Sequence, residues 1–176
     1  MSKSIFKFFT KNLSSFTLLE HNMHLQKGIT NKVQHYLKTR SALAEVKSKF
    51  KDFRNFIFIE DVISNYYSIK EAVNHKDYAQ IMKTCSFSIY EAIKEAENND
   101  SSNPFDLYDH VAKCDIVGAR VVKLDKTKTN PYKIWYQVTL NLVVREDKSG
   151  FKDQLIVVER REIDDNKDDW RICHIS

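Results

Sequence analysis

Glycine and proline are nearly missing, with 3 Gly and 2 Pro in 176 residues. That scarcity excludes collagen-like, elastic and Gly/Ser-linker chains. The glycines stand alone at Gly28, Gly118 and Gly150, so neither Gly-x-x-x-x-Gly-Lys nor Gly-x-Ser-x-Gly can be assembled, and His-Glu-x-x-His is missing as well. Cysteine is sparse too. Cys85, Cys114 and Cys173 are far apart and never form Cys-x-x-Cys, which argues against a secreted disulfide scaffold or a zinc ribbon and for a reducing compartment, each thiol acting as a small hydrophobe. No apolar run approaches the roughly 18 residues that cross a bilayer as a helix; the longest are Phe56-Ile57-Phe58-Ile59 and Leu155-Ile156-Val157-Val158.

What is present is charge, unevenly placed. Residues 1–54 carry eleven bases against three acids, whereas the remainder carries 17 bases against 21 acids. A basic arm on an acidic body points to an anionic partner, RNA or a lipid surface, or to an import address. Residues 1–19 contain no acid at all. On a helix Lys3, Lys7 and Lys11 form one stripe, with Ile5, Phe9, Leu13 and Phe16 opposite and Phe6 adding to the apolar load. A basic, hydroxyl-bearing, amphipathic segment of this kind reads as a mitochondrial presequence. The expected location is the mitochondrial matrix, peripheral on the inner membrane. Lys3, Phe6, Lys7, Phe9, Lys11, Lys27, Lys32, Lys38 and Arg40 are the residues expected to meet the membrane or a partner.

Hydrophobic periodicity predicts a long charged helix over 22–54 with a thin seam of Val33, Tyr36, Leu37, Leu43, Val46, Phe50 and Phe53. A helix over 59–73 follows, then one of five turns over 78–96, and a short helical turn over 105–111. After Ala112 the period changes from 3.6 to 2, and strands are expected at 114–124, 132–145, 151–163 and 169–175. The connections are too short for parallel crossovers. The fold class is therefore α+β, N-terminal helices packed on a curved four-stranded antiparallel sheet. The organisation is a presequence-like segment at 1–20, a basic helical extension at 21–54 and the body at 55–176.

Within the body, Ala72-Val73-Asn74-His75-Lys76-Asp77-Tyr78 runs into Lys83-Thr84-Cys85. Val117-Gly118-Ala119-Arg120, Gln137-Val138-Thr139, the turn from Asp147 to Gly150, Val157-Val158-Glu159-Arg160 and Trp170-Arg171-Ile172 follow in that order. Over residues 57–175 this order and spacing resembles the TIM forty-four-like domain, a mitochondrial branch of the nuclear transport factor two-like fold, whose members include an import-motor scaffold and a mitoribosomal large-subunit protein. The resemblance implies a cone-shaped body and a non-catalytic accessory or scaffold subunit within a large assembly, a mitoribosomal large subunit or an inner-membrane complex. Other protein subunits would be its partners, with cardiolipin or ribosomal RNA as anionic contacts. The N-terminal region is too short for the long chaperone-binding extension of the import scaffold, so an import factor is the alternative reading.

The same cone hosts isomerases and dehydratases elsewhere, so Asp61, Tyr66, Tyr67, Tyr90, Asp115 and His110 are candidate acids and bases if they converge on one pocket. His21 and His24 share a helical face but have no third ligand nearby in sequence. No cofactor, metal or small-molecule substrate is expected. Glu159-Arg160-Arg161-Glu162 alternates across a strand and reads as exposed cross-strand ion pairing with Arg120, Arg171 and Asp164. Trp135, Gln137 and Thr139 on the sheet's outer face, with Arg160, form the expected docking face.

Overall fold

A computed structural model describes residues 29–99, 104–123, 132–146, 150–163, 166–167 and 169–176. Four helices precede the strands among them: α1 (Ile29–Lys49), α2 (Asn55–Asn74), α3 (Tyr78–Thr84) and α4 (Phe87–Asn98). The strands are β1 (Val111–Lys123), β2 (Tyr132–Glu146), β3 (Gly150–Ile163), the two-residue β4 (Asn166–Lys167) and β5 (Arg171–Ile175). β1, β2 and β3 are neighbours in sequence order, and β4 and β5 both pair with the far edge of β3; every pairing is antiparallel. Helices on one antiparallel sheet, not closed into a barrel, make this an α+β fold.

Alternation sorts the side chains of each strand between the two faces of the sheet. Tyr136, Val138, Leu140, Leu142 and Val144 of β2 point to one face together with Ile156 and Val158 of β3, and all are at most 1% exposed. Against them the helices deliver Val62, Tyr66, Ile69, Ile81 and Ile89, spaced to keep one face inward. At one end Phe50, Phe53, Phe58 and Trp170 close an aromatic cluster, with Phe58 and Trp170 centroids 5.0 Å apart and Phe50 meeting Tyr136 edge-on at 5.0 Å.

Three local expectations need correction. The long helix over 78–96 is two helices, because Cys85 adopts an extended conformation and bridges Ile172 of β5 while Ser86 N–H donates to the Ile172 carbonyl at 2.8 Å. Apolar period cannot register such a break, since both halves still bury the same stripe. No helical turn forms at 105–111: the segment bends, and strand pairing begins at Val111. The seam of the long basic helix is also divided. Ala42, Val46 and Phe50 enter the core, whereas Val33, Tyr36 and Leu37 face outward.

The end of α2 explains the "Asn-His-Lys-Asp" stretch. Lys76 N–H donates to the Val73 carbonyl at 3.2 Å and Asp77 N–H to the Ala72 carbonyl at 2.8 Å, the paired bonds of a Schellman cap. Lys76 occupies the left-handed position at φ 56°, where a side chain is unfavourable and glycine is preferred. Asp77 then caps α3 by accepting from the Gln80 N–H at 3.1 Å. Lys76→Gly should raise stability by about 0.5–1 kcal/mol, read as a higher thermal midpoint. A lower midpoint would show that the exposed Lys76–Glu97 contact, 2.6 Å, outweighs the backbone effect.

Candidate functional site

The candidate acids and bases do not converge. Tyr66 is buried beneath the sheet, where its hydroxyl donates to Gln154 Oε1 at 2.9 Å and accepts from the Tyr108 N–H at 2.8 Å. Burial pushes its pKa up to about 12. Gln154 in turn donates to the Asp106 carbonyl at 2.6 Å, and the Tyr67 hydroxyl accepts from the Val111 N–H at 2.9 Å. The two tyrosines therefore pin the segment before β1 to α2. Asp61 and His110 are exposed, Asp115 faces Lys113 on β1 at 2.5 Å, and Tyr90 receives Lys94 Nζ at 3.1 Å on α4.

Beyond the aromatic cluster lies an open groove of about 300 Å³. Phe58, Val62 and Thr84 form its floor, and Asp61, Lys83 and Asp169 stand on its rim. The rim carries both signs of charge.

The sheet's outer face differs most from expectation. Register aligns Arg120 of β1, Gln137 of β2, Glu159 of β3 and Arg171 of β5 in one cross-strand row. Arg120 Nε donates to Gln137 Oε1 at 2.7 Å, Gln137 Nε2 donates to Glu159 Oε2 at 3.3 Å, and Arg161 Nη2 donates to Glu159 Oε1 at 2.5 Å. The Arg161 guanidinium also lies 4.4 Å from the Trp135 ring centre. Glu159 is 3% exposed, and Trp135, Gln137 and Thr139 are 6%, 3% and 4% exposed. These three are thus not an exposed docking face, and the Glu159–Arg161 pair is not a solvated one. Arg160 does not belong with them either. Its register partner is Tyr136, so alternation turns it to the helix side, where its guanidinium sits 4.1 Å from the Phe50 ring centre. The alternation of Glu159 and Arg161 against Arg160 and Glu162 is legible in sequence, but the in-register positions of Arg120 and Gln137 are not.

α1 lies against β1, the strand at the sheet's free edge, which covers an edge that would otherwise invite pairing. On the outer face His35 approaches to 3.7 Å from the point where a side chain on Gly118 would begin. Lys32, Lys38 and Arg40 are exposed on α1. Val33, Tyr36 and Leu37 are 54%, 62% and 57% exposed, a feature the single-seam expectation missed. Lys3, Phe6, Lys7, Phe9, Lys11 and Lys27, with His21 and His24, lie outside the described residues. Among the described residues no helix is long and apolar enough to cross a membrane, and no three His, Cys, Asp or Glu side chains are grouped to hold a metal ion.

Fold and surfaces together define an α+β chain with a filled interior and a basic helix laid along the sheet edge. No protein-family model matches the chain, and no curated protein matches it.

Proposed function

We propose that this chain is a non-catalytic docking subunit of a large mitochondrial assembly, peripheral to the matrix side of the inner membrane, and that its body is a nuclear transport factor two-like cone of the TIM forty-four-like kind. The observation that carries this reading is the contrast between interior and surface. The volume between helices and sheet is filled by aliphatic side chains such as Ile69, Leu140, Ile156 and Ile172, and its deepest hydroxyl, on Tyr66, is held by two structural hydrogen bonds. α1, in contrast, offers Lys32, Lys38 and Arg40 to solvent. Positive charge on a helix clamped to a rigid body attracts anionic surfaces over about 10 Å at moderate salt. A mitoribosomal or inner-membrane complex supplies such surfaces; an import factor is the alternative placement.

The test uses the full chain carrying an affinity tag, purified from mitochondria and run on native gels. The wild type should migrate within an assembly well above its own 20.7 kDa. Lys32→Glu, Lys38→Glu and Arg40→Glu combined should release it with its fold intact, since exposed substitutions usually shift stability by no more than about 0.5 kcal/mol. Asp61→Asn should change neither property. Migration of the wild type as a free monomer, or a cellular phenotype from Asp61→Asn alone with the assembly whole, would overturn the reading in favour of an isomerase- or dehydratase-like enzyme.

A further inference from the structure

We infer that the outward side of α1 is a seat for one helix of a partner protein, a helix that carries leucine-like residues at one end and carboxylates at the other. The inference rests on the docking reading above and names the kind of partner.

α1 has two faces with different occupants. Ala42, Val46 and Phe50 bind the body and fix the helix in place, so it cannot roll. On the opposite side Val33, Leu37, Arg40, Ala44 and Lys47 are all exposed, and they follow one another at intervals of four, three, four and three residues. That is the row along which a second helix packs. Tyr36 stands beside its apolar end, and neither Arg40 nor Lys47 has an ion-pair partner among the described residues.

The order of residues along the row selects the occupant. A bilayer surface requires a broad apolar face with basic residues to its sides; here Arg40 and Lys47 lie in line with Val33 and Leu37. A nucleic-acid backbone would satisfy the two bases and leave Val33 and Leu37 without apolar contact. A second copy of the chain placed antiparallel sets Arg40 against Arg40, and placed parallel it sets every base against its like. A helix with apolar residues opposite Val33 and Leu37 and acids opposite Arg40 and Lys47 satisfies the whole row. The excess charge of Ile29–Lys49, five bases against the single Glu45, adds long-range attraction of the right sign.

The probe is a fluorescein-labelled synthetic amphipathic helix about three heptads long, with leucines in the first half of its seam and glutamates in the second. A twin has lysine in place of each glutamate. Anisotropy titration against the full-length chain should show binding of the acidic peptide at least about tenfold tighter than that of the lysine twin, weakening as salt rises. Val33→Ser with Leu37→Ser should weaken binding by about tenfold or more. Arg40→Glu with Lys47→Glu should invert the preference between the peptides. Far-UV circular dichroism should be unchanged in both variants. Equal binding of the two peptides, or binding indifferent to both pairs of substitutions, overturns the inference. So does competition for the row, with the same residue dependence, by phosphatidylserine vesicles or polyuridylate. If the peptides fail while Lys32, Lys38 and Arg40 reversal still releases the chain from its assembly, the docking reading stands and the acidic-helix partner falls.

Discussion

Glu159→Ala is expected to destabilise the protein by about 3–5 kcal/mol, the range seen when one member of a buried ion pair is removed. The carboxylate is 3% exposed and receives Arg161 at 2.5 Å and Gln137 at 3.3 Å, while Gln137 also holds Arg120 at 2.7 Å. Its loss takes the Glu159 carboxylate away from the Arg161 charge, on a side chain only 12% exposed, in a region of low dielectric. For a chain of this size the midpoint of thermal unfolding should fall on the order of 10 °C. The pair itself is worth much less than that loss, because bringing two ions out of water offsets most of their attraction. Glu159→Leu combined with Arg161→Leu should therefore recover most of the stability. A Glu159→Ala cost below about 1 kcal/mol by urea unfolding would be the behaviour of a solvated pair and would contradict the burial of this row.

Phe50→Ala should cost about 3–5 kcal/mol, the usual loss for truncating a buried aromatic ring, and its effect should be concentrated on α1. Phe50 is 5% exposed, meets the Tyr136 ring at 5.0 Å and the Trp170 ring at 5.9 Å, and carries the Arg160 guanidinium at 4.1 Å. It is also the residue immediately after α1, with its N–H donating to the Val46 carbonyl at 2.8 Å. A single side chain thus ties the basic helix to the body's aromatic cluster. Without it, the helix end keeps Ala42, Val46 and the partly buried Leu43, with the Lys49–Glu162 and Glu45–Lys123 surface pairs adding little, and a helix with so narrow a buried stripe is marginal in water. Hydrogen exchange should show protection of residues 29–49 falling more than that of α2, whose buried side chains Val62, Ile69 and Ala72 stay in place. Equal loss over both helices would mean that α1 and the body unfold as one unit and that Phe50 is no special tether.

The course of the strands is legible in the sequence because a half-buried strand repeats every two residues. Ile134, Tyr136, Val138, Leu140 and Leu142 announce their shared face before any partner is known. The helix over 59–73 is legible for the same reason at a period of 3.6, although the chain begins it four residues earlier at Asn55. The scarcity of glycine is equally direct, since a phosphate-cradling loop cannot be built from three isolated glycines. None of these conclusions requires knowledge of contacts between distant residues.

Contacts between distant residues decided the rest. The break at Cys85–Ser86 exists because β5 offers the Ile172 carbonyl to the Ser86 N–H, a bond between positions that are far apart in the chain. Trp135, Gln137 and Thr139 carry the polar and aromatic character of an exposed face, yet they are buried, because alternation assigns a side of the sheet but does not state what covers it. Glu159 became the centre of a buried network only when register placed Gln137 and Arg171 opposite it. The apolar residues of α1 divided between two sides for a similar reason: a helical period groups residues by angle, while the sheet edge that the helix meets decides which angles are buried. The sequence by itself thus determined the course of the long strands, the helix over 59–73, the charge asymmetry and the motifs that cannot be formed. The tertiary structure alone determined which polar side chains are enclosed and which apolar ones are left facing water, since burial depends on the packing of segments whose separation along the chain carries no information about their distance in space.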